Sequence, residues 1–223
     1  MMEQMEAIRR RHSVRQYKDK RIEGEVLSQL QGLIDVCNKE SGLHIQLCLN
    51  EPGAFDTRMA HYGKFRGVRN YIALVGKKND AAREACGYYG EKVVVKAQQL
   101  GLNTCWVALT YGKGKTAAVV GTGEKLHIVI SVGYGETEGS PRKTKPIEEL
   151  SKVEGTMPAW FRRGMEAVQL APTAMNQQRF RFILQGDTVK AVALIGPQTK
   201  VDLGIAKAHF EIGAGPQGWR WAE

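Results

Sequence analysis

The chain lacks an apolar run approaching the roughly 20 residues of a membrane-spanning helix, so no membrane partner is expected. Its N-terminus carries Glu3 and Glu6 where a secretory leader would have a basic and then an apolar segment, and the expected compartment is the cytoplasm. Cysteine is sparse. Cys37, Cys48, Cys86 and Cys105 lie 11, 38 and 19 residues apart without a Cys-x-x-Cys pair, which argues against a zinc site or a dithiol redox centre and for buried free thiols. The five histidines lack the close helical spacing of metal ligands, so metal chemistry is not expected. No low-complexity tract occurs, and no catalytic triad or acid–base dyad stands out.

What is present is an ordinary globular composition. With 223 residues, 43% of them hydrophobic and 25% charged, the chain can build one large domain or two small ones. The formal charge of +9 suits an anionic partner: nucleic acid, an anionic lipid surface or a phosphorylated small molecule. Much of the excess lies in RRRHSVRQYKDKR (residues 9–21), with seven Lys or Arg and one acid. The basic residues do not interleave with aromatics as in nucleic-acid reading modules, so nucleic acid is not the expected partner.

Periodicity predicts a short helix over 3–11 and a second over 21–41, where Val26, Leu27, Leu30, Leu33, Ile34 and Cys37 form one apolar face. Strands are expected at 44–51 and 70–78, and a long helix over 80–100 ended by Gly101. An extended segment follows from Leu102. The nearly unbroken apolar run Leu126–Val132 predicts a strand buried on both faces in the middle of a sheet. ETEGSPRKTKPIEEL (136–150) reads as a loop and marks a boundary between an N-terminal lobe, 1–150, and a C-terminal lobe, 151–223. Beyond it come a helix opened by Pro158, a strand at 180–185 and a last helix over 201–213.

The two lobes echo each other. Residues 32–49 and 164–184 both run helix, polar turn, strand; Leu100–Gly101 followed by Trp106 is matched by Ile212–Gly213 followed by Trp219. This predicts an internal duplication with two unequal lobes about a pseudo-two-fold axis, so that a site formed at a dimer interface elsewhere forms here within one chain.

Two phosphate-loop patterns fail. GKGKT (112–116) has Leu109 where a P-loop needs glycine, and GYGETEG (133–139) is not followed by the helix a dinucleotide fingerprint requires. RRHSVR (10–15) is more informative: Arg11, Ser13 and Arg15 at alternate positions can converge on one phosphate.

RHSVR, PTAMNQQ (172–178), LGLNTCW (100–106) and VGYGETEGSPRK (132–143), taken together, resemble the FMN-dependent nitroreductase family over nearly the whole chain. The resemblance implies an α+β sandwich with a central, mostly antiparallel sheet flanked by helices, internally duplicated. It implies FMN as cofactor, NAD(P)H as electron donor and a small-molecule nitroaromatic or quinone-like acceptor, in ping-pong order. The alternative is a flavin-binding protein of the same fold without turnover. By the same resemblance Arg11, His12, Ser13 and Arg15 hold the phosphate, ribityl chain and pyrimidine edge. Backbone groups of Trp106, Val107, Ala108 and Leu109 lie near flavin N5, and Arg142 and Lys143 add basic phosphate ligands. Pro172, Thr173, Ala174 and Asn176 line the flavin, with Gln178 behind them.

One departure concerns position. Family members usually carry the P-S-x-x-N-x-Q turn directly after the second helix, where this chain has KESGLHIQ, keeping Ser41, Gly42 and Gln46 without the proline or asparagine. The late copy at 172–178 resembles a tandem branch in which the C-terminal lobe plays the partner subunit, so a monomeric pseudo-dimer is expected rather than an obligate homodimer. The family also usually has Gln-Pro-Trp after its asparagine, and Gln178-Arg179-Phe180 here implies a reshaped pocket mouth.

Overall fold

The computed structural model of the protein describes residues 2–222. The chain enters through α1 (Gln4–Arg10) and α2 (Gly24–Ser41), which buries Leu30, Ile34 and Cys37 at helical spacing. Gly42 ends α2 in the left-handed conformation (φ 67°), its N–H bonding to Asn38 O. Then follow β1 (His44–Cys48), α3 (Arg58–Tyr62), β2 (Tyr71–Lys77), α4 (Asp80–Gln99), β3 (Asn103–Val107) and β4 (Glu124–Gly133). The second half comprises α5 (Ile147–Leu150), β5 (Ser151–Val153), α6 (Ala159–Val168), β6 (Phe180–Gln185), β7 (Thr188–Ala193), α7 (Thr199–Ala214) and β8 (Arg220–Trp221).

The strands divide into two four-stranded sheets, ordered β1-β2-β4-β3 and β5-β6-β7-β8. The first is antiparallel throughout. β4 lies between β2 and β3, which accounts for its continuous apolar run: Val129 and Ile130 are buried with partners on both sides. In the second sheet only β6–β7 is antiparallel; β5 and β8 pair in parallel with their neighbours. The strand β7 has no counterpart in the periodicity reading, because TVKAVA buries little beyond Val189. The turn Gly186–Asp187 between two extended runs was its available signal.

Helices α4 and α7 cross at the heart of the molecule. Gly87 on α4 packs onto Val201 O and Ile205 N of α7, and Gly204 on α7 packs onto Glu84 O and Tyr88 N of α4. The contact is the same with the helices exchanged, and it lets two backbones meet where any Cβ would collide. The last helix was expected to stop at Gly213. It continues to Ala214 and is ended by Gly215 (φ 76°), because Gly213 is needed inside the helix, against Arg163 O of α6. Phe161, Phe182, Phe210, Trp160, Trp219 and Trp221 stack edge-on or face-on beneath α7 and fill the smaller lobe. The four cysteines are buried free thiols. Among the described residues no helix is long and apolar enough to cross a membrane.

Candidate functional site

After α1 the chain runs extended along the edge of the first sheet. Val14 N–H donates to Thr104 O of β3 (3.0 Å), Ser13 bridges to Thr104, and the Tyr17 hydroxyl bonds to Val14 O (2.7 Å) and Ser131. Side chains alternate over residues 13–15, so Val14 points into the core while Ser13 and Arg15 face outward; Tyr17, further on, is buried as well. Outward here means into a cleft.

The cleft holds two adjoining cavities. The larger, about 590 Å³, has a largely polar rim that includes Lys64, Thr137, Ser140, Arg142 and Asn176. The smaller, about 340 Å³, runs between Cys105–Thr110 at the end of β3 and Val201, Asp202 and Ile205 at the start of α7. Ser13, Arg15, Pro172, Thr173 and Met175 line both.

Behind the wall lie the guanidinium groups of Arg11 and Arg142 beside His12. Arg11 is 1% exposed, and its Nε, Nη1 and Nη2 have no hydrogen-bond partner among the described residues. Arg142 Nε and His12 Nδ1 are likewise buried and unpartnered. Gly139 (φ 75°) lets the 136–146 loop lie directly on His12 and Ser13. Burial lowers the pKa of Arg11; burial and then the neighbouring Arg11 push Arg142 down to about 10. Burial, Arg11 and Arg142 also disfavour the charged form of His12, with Glu138 opposing them. Glu91 acts on both arginines at a distance, but its carboxylate is committed to Trp106 Nε1 and to His209 Nε2, each at 2.8 Å. An arrangement of buried donors without acceptors fits a bound anion.

The turn at 172–178, between α6 and β6 and far from Ser13 and Arg15 in the sequence, closes the cleft. Met175, Asn176 and Gln178 all have left-handed backbones (φ 54°, 54° and 48°), at a cost of roughly 1 kcal/mol each for residues with a Cβ. The surroundings impose this. Ala174 N–H donates to both carboxylate oxygens of Asp202 (3.0 and 3.2 Å), and Gln178 N–H to Thr173 Oγ1. Asn176 Nδ2 donates to Lys143 O (2.8 Å), Gln178 Oε1 accepts from Lys145 N–H (2.8 Å), and Gln169 Nε2 donates to Lys145 O. Turn and basic loop are thus clamped to each other. Strain over-determined by its surroundings is a mark of functional sites.

The residues singled out in the sequence fall into three groups. Ser13, Arg15, Trp106, Val107, Ala108, Leu109, Arg142, Pro172, Thr173, Ala174 and Asn176 line the cleft. Arg11, His12 and Gln178 stand behind it; Gln178 is 1% exposed and tethers the loop. Lys143 contributes its carbonyl to Asn176, and its exposed side chain is not part of either wall. Periodicity and motif reading missed Phe65, Cys105, Pro197, Val201, Asp202 and Ile205. Cys105 lies inside the LGLNTCW stretch, whereas nothing local marks Val201, Asp202 and Ile205, which only the crossing of α7 over α4 brings to the cleft. The early KESGLHIQ segment takes no part: Ser41 caps α2 through Cys37 O and Leu43 N, and the Gln46 amide pairs with the backbone of Val119.

The family described as "Putative TM nitroreductase" matches residues 3–214. The chain belongs to the nitroreductase family. A structure described as a "putative nitroreductase" from Thermotoga maritima is 22% identical and covers 95% of this chain and 83% of its own, with a TM-score of 0.70. One from Desulfovibrio desulfuricans, in complex with FMN, is 20% identical over 71% of this chain and 99% of its own, with a TM-score of 0.55. An FMN and NADPH-dependent nitroreductase from Sphingopyxis sp. is 14% identical over 70% of this chain and 100% of its own, at 0.56. At these identities the likeness is one of fold, and it places the chain in the α+β nitroreductase fold. No curated protein sequence matches the chain. Membership in the nitroreductase family makes the chain an oxidoreductase.

Proposed function

We propose that the chain is an FMN-dependent NAD(P)H oxidoreductase of the cytoplasm that reduces nitroaromatic or quinone-like acceptors in ping-pong order. Its flavin site would be completed in cis by the C-terminal lobe (151–223), which plays the part of a partner subunit. The observation that carries the reading is the set of unpartnered Arg11, His12 and Arg142 nitrogens behind a cleft walled by both ends of the chain.

FMN fits these residues in character. Its phosphate is the acceptor that the buried guanidinium groups lack, and Ser13 and Ser140 add hydroxyl donors at the larger cavity. The flat ring suits the smaller, more apolar space between the end of β3 and Pro172–Ala174. Bound there, FMN would supply two-electron storage, accepting hydride from NAD(P)H and passing it to the acceptor. The protein contributes position and field. Arg15 offers positive charge at the ring edge where negative charge develops on reduction. Beyond Val107 the backbone leaves the β3 ladder, which frees N–H groups for the ring. Asn176 and Gln178 hold the basic loop against the turn, so phosphate and ring sites form together.

The tandem reading is supported by length and by packing. The D. desulfuricans structure is matched over 99% of its own length by 71% of this chain, whereas the T. maritima likeness extends over 95% of this chain. The exchanged glycine contacts of α4 and α7 have the form of a two-fold interface within one polypeptide. The reading implies a monomer of 24.7 kDa that needs neither membrane nor nucleic acid as partner.

The test is the visible absorption spectrum of the purified protein with added FMN, in wild type, Arg15→Ala and Asn176→Ala, combined with light scattering. Each substitution removes a hydrogen-bonding group and is expected to weaken FMN binding about tenfold. A wild type that takes up no FMN overturns the reading. Uptake of FMN with no NAD(P)H oxidation in the presence of a nitroaromatic or quinone would leave a flavin-binding protein without turnover.

A further inference from the structure

Resting on the flavin reading above, we propose that Asp202 is the acid that protonates the acceptor as it is reduced in the smaller cavity. Asp202 stands in the first turns of α7, is 4% exposed and forms part of the cavity wall. Its two oxygens share a single donor, the Ala174 N–H. A carboxylate has about four lone-pair sites, so most of its capacity faces the cavity unused. Among the described residues no cation is ion-paired with it, as the other buried acid, Glu91, is with His209.

Burial pushes its pKa up to about 7 against the opposing effect of the Ala174 hydrogen bond, so near neutral pH it exists in both forms, as a proton donor must. The other ionisable groups of the wall are Arg15 from the N-terminal segment and Cys105 from β3. The Cys105 thiol is driven up by burial, and a guanidinium does not release its proton, so neither competes as an acid.

The step balances. A quinone-like acceptor takes a hydride, with its two electrons, from the reduced flavin, and a proton from Asp202. The carboxyl O–H bond breaks and an O–H bond forms on the acceptor oxygen. The quinol leaves, and water at the cleft mouth returns the proton to the carboxylate. NAD(P)H is the reductant that restores the flavin. One-electron transfer to an inorganic oxidant needs no proton and should not involve Asp202.

Asp202→Asn keeps the shape and an acceptor for Ala174 N–H but cannot give a proton. With FMN-loaded wild type and variant, turnover with menadione and with ferricyanide is compared between about pH 5 and 9. With both proteins saturated with FMN, the ratio of menadione to ferricyanide turnover should fall by about 100-fold in the variant. The wild-type menadione rate should fall about tenfold per pH unit above neutrality, and the variant's residual rate should be flat. Independently of turnover, the infrared spectrum should show a protonated carboxyl band that disappears as pH rises through neutrality and is absent from Asp202→Asn. A parallel fall of both rates would reassign Asp202 to positioning the 172–178 turn and overturn the proposal, as would an unchanged menadione rate. A wild type that binds no FMN overturns the flavin reading instead, and is recognised before any variant is compared.

Discussion

Arg11 shows how a single side chain can be a burden to the empty protein and an asset to the loaded one. Three buried guanidinium nitrogens without hydrogen-bond partners among the described residues carry a desolvation cost that Glu91 offsets only from a distance. Arg11→Met keeps much of the volume and removes the charge. Melting of the flavin-free variant should therefore occur above wild type, by about 1–3 kcal/mol of stability. FMN binding should weaken at least tenfold, since hydrogen bonds to charged groups contribute about 1.5–3 kcal/mol. Thermal unfolding with and without FMN reads both effects, and a variant less stable in both states would show that Arg11 is structural. The alternation of Arg11, Ser13 and Arg15 was visible in the sequence, and the cleft does receive Ser13 and Arg15. That Arg11 lies behind the wall was not visible, because its depth depends on the loop carrying Gly139 and Arg142, more than a hundred residues away.

Helices α1, α2, α4, α6 and α7 and the strand β4 were legible because a buried face repeats with the period of its element, whereas the short α3 was not foreseen and α5 lies in the stretch read as a loop. Elements that bury little were not, and β7 with its single buried valine is the clearest case. Glycine was read correctly at Gly101, where the backbone turns left-handed (φ 78°), and incorrectly at Gly213, where the helix needs a missing Cβ. The same letter serves two physical ends. Gly204→Ala tests the second kind: its methyl group would enter the backbone of α4, and the crossing must widen. A loss of about 1–3 kcal/mol is expected from urea melts, with weakened FMN binding because α7 carries one wall of the cleft. Gly87→Ala should cost a similar amount, and the double variant less than the sum, since either substitution already separates the helices.

At the scale of the whole molecule, β3, α4, α7 and α6 are joined by a buried polar chain. Trp106 Nε1 donates to Glu91 on α4, and Glu91 meets His209 Nε2 on α7; His209 Nδ1 donates to Ala167 O on α6 (2.9 Å). Glu91 and His209 are fully buried. Removing one member strands the others, so Glu91→Ala should cost about 3–5 kcal/mol, more than the loss of an exposed pair such as Arg69–Asp19. Chemical denaturation of the two variants, Glu91→Ala and Asp19→Ala, makes the comparison. Because Trp106 sits on the cleft and Glu91 lies in the field of Arg11, loosening this chain should also reduce FMN affinity.

The sequence by itself determined the α+β class, the principal helices and most of the strands, and the stretches that carry the cleft, because periodicity, capping and residue chemistry are local properties. It also pointed to the family through motifs spread from RHSVR to PTAMNQQ. Only the tertiary structure decided how these stretches meet: Arg11 and His12 withdrawn behind Ser13 and Arg15, Gln178 spent on holding a loop, Lys143 left outside, and Asp202 brought to the cavity. Each of those outcomes depends on the crossing of α4 and α7 and the seating of the 136–146 loop. Such packing depends on contacts between residues far apart in the chain, which no local pattern encodes.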